Sequence, residues 1–441
     1  MDQLSGKLIV LADANSFFAS CETVFDPSLM GRPVVVLSNN DGCVVSRSAQ
    51  AKTLGIVNGT PWFKIREQAT HDGVIARSSN YELYASLSAR MMSLMRGHFP
   101  HQEIYSIDEC FLRSPWDAHT TADACIRMRE AVLTGIGIPI SIGVAPSKTL
   151  AKVANHWAKD HPDEHGVTVW DDATADYIAT VLAAIPVERV WGVGRHLTRA
   201  LQAMGIINAL QLRDADPVMI RRRFSVVLEC TVLELRGIAC MADQSDADKG
   251  ARTDQILCSR MFSTPITKFD DISQALGLYA QNACRRLRRQ HGLCSQVHAF
   301  CASSPFNVDK EYLSIHGCTT LQDPSDDPIT ISRAACEALR HRFDPHGRYI
   351  RAGVMLTGLV DADVFHTLDG LEADCDDHHL GAVLDEVTRR FGPMRAGIGY
   401  AGIRGHARHD DDTGADWSMR RDMLSSRCTT RWDEMAVVHA R

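Results

Sequence analysis

The chain is 441 residues long, too long for one ordinary hydrophobic core, so about three or four domains are expected. Hydrophobic residues make up 45%, ordinary for a globular protein, and no run approaches about eighteen uncharged apolar residues, which excludes a membrane-spanning helix. The net charge of −7 argues at first against a nucleic-acid partner, but residues 361–441 carry 10 Lys and Arg against 16 Asp and Glu, so the rest of the chain is nearly neutral.

The first element is an apolar, strand-like run, Leu8-Ile9-Val10-Leu11-Ala12, that ends on Asp13 and leads into Asn15-Ser16-Phe17-Phe18. Residues 33–37 are the run Pro33-Val34-Val35-Val36-Leu37, and residues 46–55 read as a helix ending at Gly55 and carrying Lys52. Next comes Ser78-Ser79-Asn80-Tyr81-Glu82-Leu83-Tyr84. A second apolar run, Ile104-Tyr105-Ser106-Ile107, is interrupted by Asp108-Glu109 and resumes at Cys110-Phe111. A periodic helix over 122–134, a strand over 139–145 and a lysine-bearing segment with Lys148, Lys152 and Lys159 complete this region.

A carboxylate at the end of a buried strand costs several kcal/mol unless it is paired or binds a cation. Neither acidic run has a Lys or Arg beside it in sequence. Taken alone, Asp13 and Asp108 could still be ordinary turn residues at strand ends. As a set, Asp13, Asp108 and Glu109 are hard oxygen ligands suited to Mg²⁺, and three carboxylates can hold two such ions for phosphoryl transfer.

Beyond residue 165 the character changes. Val190-Trp191-Gly192-Val193-Gly194-Arg195, followed by an amphipathic stretch over 197–204 and Gly205, reads as a helical hairpin whose glycines let backbone N–H groups approach a phosphate. A second hairpin is expected over 221–236. Residues 241–251 are small and polar and read as a linker. Residues 252–360 then alternate strand and helix: strands over 255–262, 295–302 and 349–356, helices over 271–291 and 331–341. They hold 13 Lys and Arg against 10 Asp and Glu, with Arg260 on the first strand. Arg221-Arg222-Arg223 and Arg285-Arg286-Leu287-Arg288-Arg289 are basic clusters that favour phosphate contacts. The acidic tail, 361–441, should be short helices joined by mobile segments. The 14 cysteines are scattered with no Cys-x-x-Cys, and the N-terminus shows no signal peptide, so reduced thiols in a cytoplasm are expected. Cys284, Cys294 and Cys301 read as buried thiols because their spacing fits no zinc pattern.

Asp-Ala-Asn-Ser-Phe-Phe-Ala-Ser-Cys-Glu (13–22), Tyr-Ser-Ile-Asp-Glu (105–109), Ser38-Asn39-Asn40-Asp41-Gly42-Cys43-Val44, the 78–84 string, Trp417-Ser418-Met419-Arg420-Arg421 and Met423-Leu424-Ser425 together resemble the Y-family DNA polymerases, and within them the UmuC branch rather than the DinB branch. The resemblance runs almost end to end. It implies a multidomain α/β and α+β right-hand polymerase: palm at 1–31 and 78–165, small fingers at 32–77, helical thumb with a helix-hairpin-helix at 166–240, little finger at 252–360 and a partner-binding tail. It also implies two Mg²⁺ ions held by Asp13, Asp108 and Glu109 with the Ala14 carbonyl, and attack of a primer 3′-hydroxyl on a dNTP. By the same resemblance Phe18 is the steric gate, Phe17, Lys52 and Lys159 join it around the dNTP, and Gly192, Gly194, Arg195 and Arg260 meet DNA. Lys148 and Lys152 are further candidates for the triphosphate.

The implied activity is error-prone synthesis past damaged bases in SOS mutagenesis, on primed DNA, by a cytoplasmic protein associated with the nucleoid when engaged. The implied partners are a UmuD′ dimer, a RecA filament and a sliding clamp. The place matching the clamp motif reads Asp363-Val364-Phe365-His366-Thr367-Leu368 and lacks its Gln, which speaks against a clamp contact there. The alternatives are a catalytically silent DNA-binding scaffold and a palm-type nucleotidyl cyclase.

Overall fold

The computed structural model describes residues 8–171, 174–242, 253–304, 312–363, 380–391, 396–398 and 420–435. It separates into two units, Met1–Ser245 with Asp422–Arg441, and Asp246–Arg421. Most of the 241–251 linker, all of the clamp-like string except Asp363, and Trp417-Ser418-Met419 lie outside the described residues.

The first unit opens with β1 (Leu8–Ala14), α1 (Phe17–Phe25), β2 (Val34–Leu37), β3 (Val44–Arg47), α2 (Ala49–Thr53), α3 (Trp62–His71) and β4 (Ile75–Ser78). It continues with α4 (Tyr81–Arg96), β5 (His101–Ile104), β6 (Glu109–Ser114), α5 (Ala118–Ile136), β7 (Ile140–Ala145), α6 (Lys148–Asp160) and β8 (Val167–Val169). Five small helices follow: α7 (Ala175–Ala184), α8 (Arg195–Gln202), α9 (Ala209–Asp214), α10 (Pro217–Arg223) and α11 (Val226–Leu235). The helix expected over 46–55 is shorter. Ser46 and Arg47 belong to β3, paired with Val36 and Val35 of β2. The helix starts only after Ser48, whose side chain caps it by accepting from the Ala51 amide.

The main sheet has the order β5-β6-β1-β7-β8, with β1 antiparallel to both neighbours. Successive strand residues face opposite sides. Val10, Ala12, Ala14, Cys110 and Leu112 therefore pack with α4 and α5 in one core, while Ile9, Leu11 and Phe111 pack in another with α6 and the helices α7–α11. Asp13 and Glu109 fall on the parity of Ile9, Leu11 and Phe111, which points them to the α6 side. A smaller sheet, β3-β2-β4, has its own core around Val35, Leu37 and Val44.

Helix α6 lies against β7 at Gly143, where an added Cβ would fall 2.2 Å from both the Ala151 carbonyl oxygen and the Asn155 amide. Asn155 also donates to the Ser141 carbonyl at 2.6 Å. Glycine here sets the seat of α6. Gly143→Ala is expected to cost about 1–3 kcal/mol through overpacking and to lower the thermal unfolding midpoint. An unchanged midpoint would show that α6 can shift freely.

The second unit comprises β9 (Ile256–Ile266), α12 (Phe269–Arg288), β10 (Gly292–Ala302), β11 (Ser314–Ser325), α13 (Pro328–Arg340), β12 (Tyr349–Asp361) and α14 (Leu380–Phe391). Its four antiparallel strands run β11-β10-β12-β9, covered on one face by α12 and α13. Strand β11 was not expected from sequence. Cys284, Cys294 and Cys301 are buried free thiols. The basic clusters are partly engaged within the protein. Arg288 forms two hydrogen bonds to Asp385 of α14, at 2.8 and 3.1 Å, Arg286 donates to the Leu257 carbonyl, and Arg221 reaches Glu229. Among the described residues no helix is long and apolar enough to cross a membrane.

Candidate active site

The antiparallel register of β1 and β6 sets Asp13 directly opposite Glu109. Asp108 stands one residue before β6, and its carbonyl accepts from the Ala14 amide at 2.9 Å. The turn that delivers it is tied by Ser106, whose hydroxyl donates to the Asp108 carboxylate at 2.5 Å and accepts from the Asp108 and Glu109 amides. Asp13, Glu109, Asp108 and the Ala14 backbone thus lie at one end of the sheet, the pleat setting Asp13 and Glu109 on one face and the turn before β6 delivering Asp108.

The acids are not without cationic partners, contrary to the reading from their sequence neighbourhood. Lys159 lies 2.6 Å from Asp13, and Lys152 donates to both carboxylate oxygens of Glu109 at 2.9 Å. Both lysines come from α6, which the sheet's pleat places on the same side as these two acids. Among the described residues no three acidic, histidine or cysteine side chains are gathered closely enough to hold a metal ion. The lysines occupy the carboxylates instead. The donor set nevertheless suits a hard divalent cation. Burial raises the pKa of Asp13 above the ordinary carboxylate range, with Lys159 opposing and Asp108 adding to the rise. Burial likewise raises Glu109, against the pull of Lys152 and with help from Asp13 and Asp108. Mutually repelling, part-buried carboxylates that one ammonium each does not relieve are groups a divalent cation would stabilise.

This imbalance has a thermodynamic sign. A raised folded-state pKa means that Asp13 contributes fully to stability below the ordinary carboxylate pKa and that this contribution is lost as pH rises through the raised value. Ionised Asp13 is therefore expected to destabilise the metal-free protein at pH 7. Asp13→Asn should raise the unfolding midpoint, measured with chelator present, with the gap closing as pH falls. A lower midpoint would mean that the Lys159 pair outweighs the burial cost.

Lys152 is held by more than Glu109. Its ammonium lies 4.6 Å from the ring centre of Tyr105 and 4.9 Å from that of Trp191, a cation–π cage. Lys148, proposed for a triphosphate, instead makes a buried ion pair with Glu103 at 2.6 Å. Its side chain is 4% exposed, so a ligand cannot reach it. Phe17 is 3% exposed and packs in the core between the sheet and α4. Phe18 is only part-buried. It stacks on Tyr84 with ring centres 4.6 Å apart and planes at 16°, with Tyr81 edge-on beyond it. One turn later, Cys21 is close enough to Asp108 to feel its charge, so the Phe18 face of α1 lies beside the acidic end of the sheet.

A cleft of about 1000 Å³ is lined by Ser20, Arg32, Lys52, Arg129, His156 and Lys159, among others. Asp13, Asp108, Glu109 and Phe18 do not line it. Lys159 joins the two places, since it lines the cleft and also touches Asp13. Burial, then the charges of Arg47 and Lys159, hold the Lys52 ammonium pKa below its usual value. Arg47 carries a buried Nε with no protein partner. Its neighbourhood reads from sequence as part of a helix over 46–55 and shows no basic motif, whereas the structure places it in β3. The roles of Trp191 and Tyr84 are not written in the sequence either, because they depend on α6 and α1 lying across them.

Gly192 adopts φ +87, a conformation that strongly favours glycine, and lets the chain turn into α8. Gly194 is the N-cap of α8 and Arg195 its first, exposed residue. Arg260 is exposed on β9, opposite Ala352 of β12.

The model of the impB/mucB/samB family matches residues 12–156, that family's C-terminal domain matches 253–369, and a domain of unknown function, DUF4113, matches 378–438. The chain is 39% identical to protein UmuC of Salmonella typhimurium over 98% of its own length and 100% of that protein. It is 36% identical to protein MucB of Escherichia coli, covering 98% and 99% of the two chains. It is also 31% identical to DNA polymerase IV of Moorella thermoacetica over 81% of this chain and 86% of that one. Among solved structures it resembles a Y-family DNA polymerase chimera, Dbh-Dpo4(243-245)-Dbh, with TM-score 0.64 and 20% identity over 80% of this chain and 99% of the other. An insertion ternary complex of Dbh DNA polymerase gives TM-score 0.51 with the same identity and coverage. These two likenesses establish the fold class.

Proposed function

The chain belongs to the impB/mucB/samB family, and from that premise we propose the following account of its site. The protein is a DNA-directed DNA polymerase of the error-prone, translesion class. The observation that carries the mechanism is the meeting of Asp13, Asp108 and Glu109 at one sheet end, with Lys159 and Lys152 already poised on two of them.

Asp13, Asp108 and Glu109, with the Ala14 carbonyl, would hold divalent cations, which we take to be two Mg²⁺. When bound, these supply Lewis acidity at the attacking hydroxyl and neutralise charge on the leaving pyrophosphate. The protein's own contribution is positioning and electrostatics. Lys159, released from Asp13, turns its ammonium to the triphosphate, as does Lys52, which lines the same cleft. Lys152 keeps its cage and holds Glu109 in place. The Phe18 ring lies under the sugar and excludes a 2′-hydroxyl.

In this reading the five-stranded sheet is the palm, the β3-β2-β4 sheet the fingers, α7–α11 the thumb and residues 252–360 of the second unit the little finger. Gly192, Gly194 and Arg195 meet one DNA phosphate and Arg260 another. A UmuD′ dimer and a RecA filament are the proposed partners, and the protein works in the cytoplasm, joining the nucleoid when engaged.

The test is primer extension on undamaged and damaged templates with the purified chain, Mg²⁺ and dNTPs, with and without UmuD′ and RecA filament. Extension across the lesion supports the reading. Tight DNA binding with no incorporation under any condition would leave only a scaffold.

A further inference from the structure

The far end of the chain returns to the first unit. The Ser78 amide of edge strand β4 donates to the Met423 carbonyl, and the Met423 amide donates back to the Ser78 hydroxyl, both at 3.0 Å. Met423 packs against the core of the three-stranded sheet, and Cys428 against that of the five-stranded sheet. Between them, Ser425 accepts from the Asn80 side-chain amide at 2.9 Å through its hydroxyl. Asn80 is fully buried.

The Ser425 hydroxyl donates in turn to Glu22 at 3.1 Å. Glu22 is 3% exposed, and its same oxygen accepts from the Tyr84 hydroxyl at 2.6 Å. Tyr84 is the ring on which Phe18 stacks. Glu22 and Phe18 are four residues apart on α1, one helical turn. An unbroken series of contacts, centred on buried Glu22 and Tyr84, therefore runs from the tail to Phe18.

We propose that residues 422–428, inside the matched domain of unknown function, form a strap that positions the Phe18 ring through Ser425, Glu22 and Tyr84, and so sets discrimination between deoxyribo- and ribonucleotides. The proposal rests on the reading of Phe18 as the sugar gate. A buried carboxylate that orients a phenol needs all its donors. With the Ser425 hydroxyl gone, Glu22 keeps only the Tyr84 hydroxyl and Arg77, 3.9 Å from its other oxygen, and is drawn toward Arg77; Tyr84 loses its fixed height, and Phe18 tilts with it. Ser425 touches no nucleotide and acts only as a positioning residue.

The experiment measures kcat/KM for a dNTP and its matching rNTP with the full chain and its proposed partners. Ser425→Ala should lower the dNTP preference roughly three- to tenfold, the worth of one such hydrogen bond. The dNTP value itself should stay within about twofold, with the gain appearing as a lower rNTP KM. Ser425→Thr, which keeps the hydroxyl, should restore the preference. In a Phe18→Ala background, Ser425→Ala should change nothing further, because the coupling runs through the ring. An unchanged preference in Ser425→Ala would overturn the strap, and so would an equal fall for both nucleotides, which marks a purely structural role. Failure of the unsubstituted protein to incorporate either nucleotide would overturn the polymerase reading, and the strap with it, before any variant is compared.

Discussion

Asp108→Asn is expected to abolish primer extension while leaving DNA binding and folding intact. The amide oxygen of Asn can still accept from the Ser106 hydroxyl, which lies 2.5 Å from the Asp108 carboxylate, so the turn that leads into β6 keeps its tie. The backbone bond from Ala14 to the Asp108 carbonyl is untouched. What disappears is one negative charge at the sheet end. A neutral amide is a poor ligand for a hard cation, and losing about 4 kcal/mol of transition-state stabilisation slows the chemistry roughly a thousandfold. Single-turnover incorporation and a parallel DNA-binding titration separate the two effects. Full activity in Asp108→Asn would reduce Asp108 to a turn residue. Equal loss of binding and incorporation would point to misfolding.

The acids were legible because a strand's alternation is written in its sequence. Ile9, Leu11 and Asp13 share a parity, as do Glu109 and Phe111, and antiparallel pairing then sets Asp13 against Glu109. Their lysine partners were not legible. Lys152 is 43 residues from Glu109, and its approach depends on α6 settling onto Gly143 of β7. The same dependence explains Lys148, which looks like any other helix lysine until Glu103 of β5 lies beside it. Strand β11 escaped detection because it is an edge strand, largely wetted, and so carries no continuous apolar face. The seat of Met423 and Ser425 was not legible either: they are held by backbone amides, hydroxyls and buried Asn80, and hydrophobic patterning is blind to hydrogen bonds.

Phe18→Ala should admit ribonucleotides. The ring lies flat on Tyr84, and Tyr84 is held from beneath by Glu22, so removing the phenyl group leaves its platform standing. The space vacated is that of a side chain only part-buried, and the loss of packing falls on Phe17 and Tyr81 at its edge. Were Phe18 a core aromatic, its truncation would cost about 3–5 kcal/mol of stability and reduce both nucleotides alike. Were it a gate, the ratio of kcat/KM for dNTP over rNTP would fall about a hundredfold, the scale on which a pocket rejects or accepts a small group by size, while dNTP use persisted. As a gate it would test a hydroxyl by volume alone, since a phenyl ring offers it no hydrogen bond, so Phe18→Leu should fall between the two. Tyr84 has a hydroxyl but is engaged by Glu22 and shielded by the ring above it. A fall in the dNTP-over-rNTP ratio with dNTP use retained would mark Phe18 as the residue whose size decides which sugar can enter.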